Sequence, residues 1–293
     1  MGIFYITIAI LFFVSIFVIF RIFERYKINN SHAIIVNYLI ASAFSYLIYK
    51  GDISLSQLPQ QSWFYPSAIL GFLFMVSFLL FAISSQKAGI AITAVASKMS
   101  VVIPVLVGAY LYKYEHLTSI KIIGLILALL SFYLIFKKEK KEKIALNLII
   151  LPLLIFIFSG INDSLMKYIR ETYFRGTAIT LNSEILFVGT LFAFSFVTGI
   201  LLFAPVTLIK KEKIEWKSLW AGIILGIVNF FSALTMFKAM GYFESSVYFP
   251  IFNVGIVSLS ALIGITFFKE KLSRTNLIGL GLAMTTILIL ALS

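Results

Sequence analysis

The chain has 293 residues, of which 61% are hydrophobic and 12% charged, with a mean hydropathy of +1.03. A soluble domain is about half apolar and a quarter charged, so this composition excludes a water-soluble globular fold and points to the bilayer as solvent. The net charge of +12 sits mostly in the gaps between apolar runs. That is the pattern of loops lying against anionic headgroups rather than of a nucleic-acid surface. Cysteine is absent, which excludes disulfides and thiolate metal sites. The two histidines, His32 and His116, fall at the edges of apolar runs, and no metal or cofactor site is expected.

A spanning helix needs about 20 apolar residues, and ten runs meet that length. They cover about 2–22, 32–50, 64–86, 90–112, 118–137, 146–169, 177–203, 218–239, 244–268 and 273–292. The fold expected is all-α and membrane-integral. The first run lacks a basic leader and a small-residue cleavage site, so it is read as a retained helix. Trp63, Trp216 and Trp220 stand at the ends of runs, where amphipathic rings sit at headgroup level. The basic run Lys137 to Lys143 divides the chain near its middle. Pro104 and Pro250 are expected to interrupt the fourth and ninth spans. Gly222 and Gly226 form a GxxxG pair that permits close approach of an unspecified helix.

The two halves repeat. Glu115-His116-Leu117-Thr118 followed by Gly124 matches Glu270-Lys271-Leu272-Ser273 followed by Gly279. Lys87-Ala88 matches Lys238-Ala239, Gly71 matches Gly222, and Asn37 matches Asn182. Spans one to five thus echo spans six to ten. Because five is odd, the second copy starts from the opposite face, which makes an inverted repeat. The division expected is a first five-helix unit over 1–137, a basic connecting loop over 138–145 and a second five-helix unit over 146–293. The twice-used pattern of apolar helix, acidic hinge, Leu-(Ser/Thr), Ile-Gly and apolar helix resembles the EamA-like branch of the drug/metabolite transporter superfamily. The resemblance implies ten helices around a central cavity. It also implies transport of small metabolites, amino acids or drug-like solutes, with export the more common direction.

Charge inside a span costs about 2.5–3.5 kcal/mol on insertion scales, so such residues are the first candidates for function. Lys98 lies about nine residues into the fourth run, roughly 12 Å along a helix and near the middle of the bilayer. Small neighbours (Ala94, Ser97, Ser100) leave it room, and its counterpart in the repeat is the neutral Asn253. It is a candidate for binding an anionic group or carrying a proton, with a structural ion pair as the alternative. Glu184, in the seventh run, has no partner on its own helix and is a candidate for proton coupling or for pairing with Lys98. Asp163, in the sixth, has Lys167 at i+4 and so a local pair available. Asn37, Asn162, Asn182, Asn229 and Asn253 either contact substrate or hydrogen-bond neighbouring helices.

Sixteen of the 24 basic residues fall in the loops after spans one, three, five, seven and nine, against seven in the loops after the even spans. The positive-inside rule then puts both termini outside the cytoplasm, whereas the resemblance implies the reverse. The function expected is secondary-active transport of a small solute by alternating access in the cell or inner membrane. The partners expected are the solute, the lipid bilayer and, as a candidate coupling ion, the proton. A channel, a non-transporting scaffold and a membrane-embedded enzyme are the alternatives. No phosphate-binding Gly-rich motif, His-Glu-x-x-His or Gly-x-Ser-x-Gly is present.

Overall fold

A computed structural model describes residues 1–111, 118–136, 146–174, 181–210, 213, 215–242, 245–269 and 273–292. Among these there is no strand. The helices are α1 (Gly2–Arg25), α2 (Asn30–Ile48), α3 (Phe64–Lys87), α4 (Ile90–Met99), α5 (Val102–Leu111), α6 (Ser119–Phe136), α7 (Leu146–Tyr173), α8 (Leu181–Lys210), α9 (Trp216–Met240), α10 (Ser245–Thr266) and α11 (Arg274–Leu292). A short 3-10 turn, Leu55–Gln60, bridges α2 and α3. Six of the described helices (α1, α2, α3, α7, α8 and α9) are long and apolar enough to cross a membrane. Shorter apolar stretches cover Ile92–Gly108 and Ile251–Thr266. The hinge residues Glu115, His116 and Leu117, their counterparts Glu270, Lys271 and Leu272, and the Lys137–Lys143 run lie outside the described residues.

Local chemistry sets the helix ends. Asn29 caps α2 by accepting from the His32 N–H at 3.2 Å. Ser273 accepts from the Asn276 N–H at 3.1 Å while Asn276 accepts from the Ser273 N–H at 3.0 Å. This reciprocal cap starts α11, so the Ser of the hinge motif is a helix start. Gly89, at φ 96°, makes the tight corner between α3 and α4, a conformation an L side chain resists. Lys27, at φ 51°, closes α1: its own N–H donates to Glu24 and the next N–H to Phe23, at 3.1 and 2.9 Å. These bonds satisfy carbonyls that the last turn leaves open.

The expected fourth span is two helices, α4 and α5, meeting at Ser100–Val101. Pro104 has no N–H to give the Ser100 carbonyl, and its ring crowds that carbonyl, so the break falls one turn before the proline. Pro250 behaves otherwise. It lies at the sixth residue of α10, which runs unbroken from Ser245 to Thr266, so the expected interruption of the ninth span does not occur.

In the packing, α2 lies along both α9 and α8, α3 along α8 and α7, and α1 along α9 and α10. Helix α4 lies against α7 and α10, and α6 against α11. Gly222 and Gly226 face α2. An added Cβ at Gly222 would meet the Ala33 carbonyl and Val36 Cβ at 2.6 Å, and at Gly226 the Asn37 carbonyl at 2.7 Å. Hydroxyls tie α2 to α8: Ser42 donates to the Gly189 carbonyl at 3.0 Å and Ser45 to the Ile185 carbonyl at 2.6 Å. Trp216 and Trp220 are exposed as expected, but Trp63 is buried, with its ring edge-on to Phe187 at 5.8 Å. It packs helices together rather than facing headgroups.

Candidate functional site

The centre of the bundle is built where the last turn of α4 meets α1, α7 and α10. Lys98 is 3% exposed and occupies that last turn, where the partial negative charge of a helix C-terminus favours a cation. Its Nζ lies 4.1 Å from the centre of the Phe13 ring and 5.0 Å from that of Phe252. The two rings meet edge to face at 5.8 Å. Ring faces attract a cation by their quadrupole. Among the described residues no carboxylate comes within 4.0 Å of Lys98.

Helix α7 supplies the opposite charge. Ser159 donates to Ser97 at 3.2 Å, which sets this face of α7 against the residue beside Lys98. Asp163, one turn further, is on the same face. Asp163 and Lys98 form no contact ion pair among the described residues. Among the described residues the i+4 contact pair expected between Asp163 and Lys167 does not form. Tyr248, on α10, stacks on Phe252 at 5.3 Å, and its hydroxyl is buried without a hydrogen-bond partner. Asn253 is buried with both amide atoms unpartnered.

The other candidates lie elsewhere. Glu184 accepts from Arg170 Nη1 at 3.0 Å, and the Arg170 guanidinium lies 4.7 Å from the Phe237 ring centre. Glu184 therefore pairs at the α7–α8 end of the bundle and not with Lys98. Asn229 donates to Asn37 at 3.1 Å across α9 and α2, and Asn162 donates to Ser77 at 2.7 Å across α7 and α3. These amides join helices, although the Asn162 oxygen is left buried and unpartnered. Asn182 is half-buried in the first turn of α8. Phe13, Phe252 and Tyr248 form the aromatic wall around Lys98 and were not singled out from the sequence as its neighbours. In a chain with 30 phenylalanines, ring identity carries no positional signal.

Three likenesses to known proteins bear on the chain as a whole or on its first half. Residues 1–137 match the EamA-like transporter family. Over 289 residues the chain is 29% identical to an uncharacterized protein of Haemophilus influenzae, covering 95% of this chain and 94% of that one. A solved structure described only as the crystal structure of a protein superposes with a TM-score of 0.61 at 12% identity, over 98% of this chain and 95% of its own, a likeness of fold. The chain is a multi-pass membrane protein whose residues 1–137 are similar to the EamA-like transporter family.

Proposed function

We propose that the protein is a secondary carrier that moves a small polar solute across the membrane by alternating access. Its frame would be ten spans in two inverted halves, 1–137 and 146–293, with α4 and α5 counted as one broken span. Packing supports the frame. Exchanging α1, α2, α3, α4–α5 and α6 for α7, α8, α9, α10 and α11 turns the α2–α9 contact into α8–α3, α1–α9 into α7–α3 and α1–α10 into α7–α4. The α2–α8, α4–α10 and α6–α11 contacts map onto themselves, and every one of these pairs is in contact. The family match ends at residue 137, the end of the first half. Inverted repeats of this kind carry their sites near the midplane, beside broken helices.

The observation that carries the function is Lys98: a cation at a helix break in mid-bundle, walled by aromatic rings and held by no contact ion pair among the described residues. A charge at that depth is costly, and charges kept there mark substrate or ion pathways. The test is the melting temperature of purified protein against a panel of metabolites, since a ligand of the native state raises it, followed by uptake of any hit into vesicles. Lys98→Met is expected to keep the unliganded melting temperature close to wild type and to lose both stabilisation and uptake. Binding and uptake unchanged in Lys98→Met would refute the role given to Lys98.

A further inference from the structure

Away from the centre, a cavity of about 450 Å³ opens where α1 and α10 stop, between the last turn of α1 with Tyr26 and the Phe267–Phe268 end of α10. Helix α1 has 24 residues, about 36 Å at 1.5 Å each, against a hydrocarbon core of about 30 Å. The cavity therefore lies at headgroup level, on the face with the larger share of basic residues. Its wall holds two cations, Arg21 and Arg25, and one acid, Glu24. The acid is taken: Glu24 accepts from Arg21 at 2.6 Å, and Arg21 also donates to the Gln86 carbonyl of α3. Arg25 is exposed and makes no hydrogen bond or ion pair among the described residues. Lys27 follows Tyr26 and Lys269 follows Phe268, so each wall ends on an exposed lysine. Both lysines stand at φ 51°, in the left-handed region where glycine is the unstrained residue. The carbonyls that would repel an anion at such helix ends are also taken. The N–H groups of Tyr26, Lys27 and Ile28 donate to Ile22, Glu24 and Phe23, and that of Phe267 to Ile263.

Three cations around a cavity whose one acid is already paired suit an anion, and the surroundings decide its kind. Ile22, Tyr26 and Phe267 are 38%, 61% and 80% exposed, and the last turns of α10 also expose Leu262 and Ile265. A soluble anion gains nothing from these side chains, whereas an acyl chain covers them. Basic pockets between transmembrane helices take anionic lipid headgroups. We propose that this cavity seats an anionic glycerophospholipid, its phosphate on Arg25 between Lys27 and Lys269 and its acyl chains along Ile22 and Phe267. The planar guanidinium suits a phosphate through two parallel charge-assisted hydrogen bonds. A zwitterionic lipid brings an ammonium group that the same cations repel. The site is separate from Lys98, and its binding does not depend on the carrier reading. It does sit on the two helices that bring Phe13 and Phe252 to Lys98, so a lipid held by both ends ties α1 to α10 below that centre.

The experiment uses delipidated full-length protein in a neutral detergent and reads the melting temperature with added phosphatidylglycerol, phosphatidylcholine or glycerol 3-phosphate. The result expected is a saturable rise with phosphatidylglycerol and little change with the other two. Arg25→Gln is expected to weaken phosphatidylglycerol binding about fivefold, and Arg25→Gln/Lys27→Gln/Lys269→Gln about a hundredfold. All three side chains are exposed, so the melting temperature without lipid should stay near wild type. Should the triple variant misfold, the fivefold loss in Arg25→Gln decides alone. Lys213→Gln removes an exposed cation outside the cavity and is expected to bind the lipid as wild type does. An equal loss in Lys213→Gln and Arg25→Gln would overturn the site in favour of diffuse surface charge. Equal stabilisation by phosphatidylcholine would overturn the anionic headgroup, and equal stabilisation by glycerol 3-phosphate would overturn the lipid. No stabilisation by any of the three overturns the site itself.

Discussion

Glu184 and Arg170 form a buried ion pair at 3.0 Å, each with little exposed surface. Removing one partner of such a pair strands a charge in low dielectric and costs about 3–5 kcal/mol, whereas replacing both with apolar groups of similar size is often neutral. Arg170→Met is therefore expected to lower the melting temperature sharply. Glu184→Leu in the same chain should recover most of the loss, as thermal unfolding in detergent will show. A role for Glu184 in coupling would instead appear as the double variant folding normally but failing to transport. From the sequence Glu184 was visible as an intramembrane acid, but its partner was not. Arg170 sits near the end of α7, where a basic residue reads as an interfacial loop charge, and only the approach of the α7 and α8 ends brings the two together. Asp163 failed in the opposite sense. The i+4 rule offered Lys167 on its own helix, but no contact pair forms between them among the described residues; instead this face of α7 meets α4 through Ser159 and Ser97.

At the scale of helices, small residues decide who touches whom. Gly222 and Gly226 were legible as a pair that permits close contact, but the spacing holds no information about the partner; that is settled by the Ala33–Ile40 face of α2. A methyl group at Gly222 meets backbone and Val36 Cβ at 2.6 Å, neither of which can swing away. Gly222→Ala is expected to destabilise the fold by about 1–3 kcal/mol through overpacking. Gly281, on α11, has nothing within 4 Å of an added Cβ. Gly281→Ala should leave stability unchanged or raise it by up to about 1 kcal/mol, the helix propensity difference. Measuring both melts in the same detergent separates contact from propensity, and equal effects would contradict the α2–α9 packing. The prolines make a similar point. Each removes one backbone donor, but Pro104 stands mid-span, where the lost bond splits α4 from α5. Pro250 stands near the start of α10, where the helix runs on past it.

At the scale of the molecule, the helical, membrane-bound character followed from composition, and matched residues such as Gly71 with Gly222 are the ground on which the inverted halves are proposed. The centre of the bundle did not follow, because Phe13, Lys98, Asp163 and Tyr248 come from four helices whose meeting no spacing encodes. The proposed inverted halves and the charge count make a joint prediction about faces. The chain has no cysteine, so a single introduced one is the only thiol that a membrane-impermeant maleimide can reach. Ser56, between α2 and α3, and Tyr242, between α9 and α10, should share one face. Lys27, between α1 and α2, and Lys213, between α8 and α9, should share the other. The second face carries the larger share of basic residues and belongs in the cytoplasm by the positive-inside rule. In intact cells Ser56→Cys and Tyr242→Cys are expected to label, and Lys27→Cys and Lys213→Cys only after permeabilisation. The exchanged pattern, with Lys27→Cys and Lys213→Cys labelled in intact cells and Ser56→Cys and Tyr242→Cys only after permeabilisation, would keep the inverted halves and reverse the orientation. Grouping of Tyr242→Cys with Lys27→Cys would break the inverted halves, because an odd number of crossings in each half is what sends the end of α9 to the face opposite the end of α3.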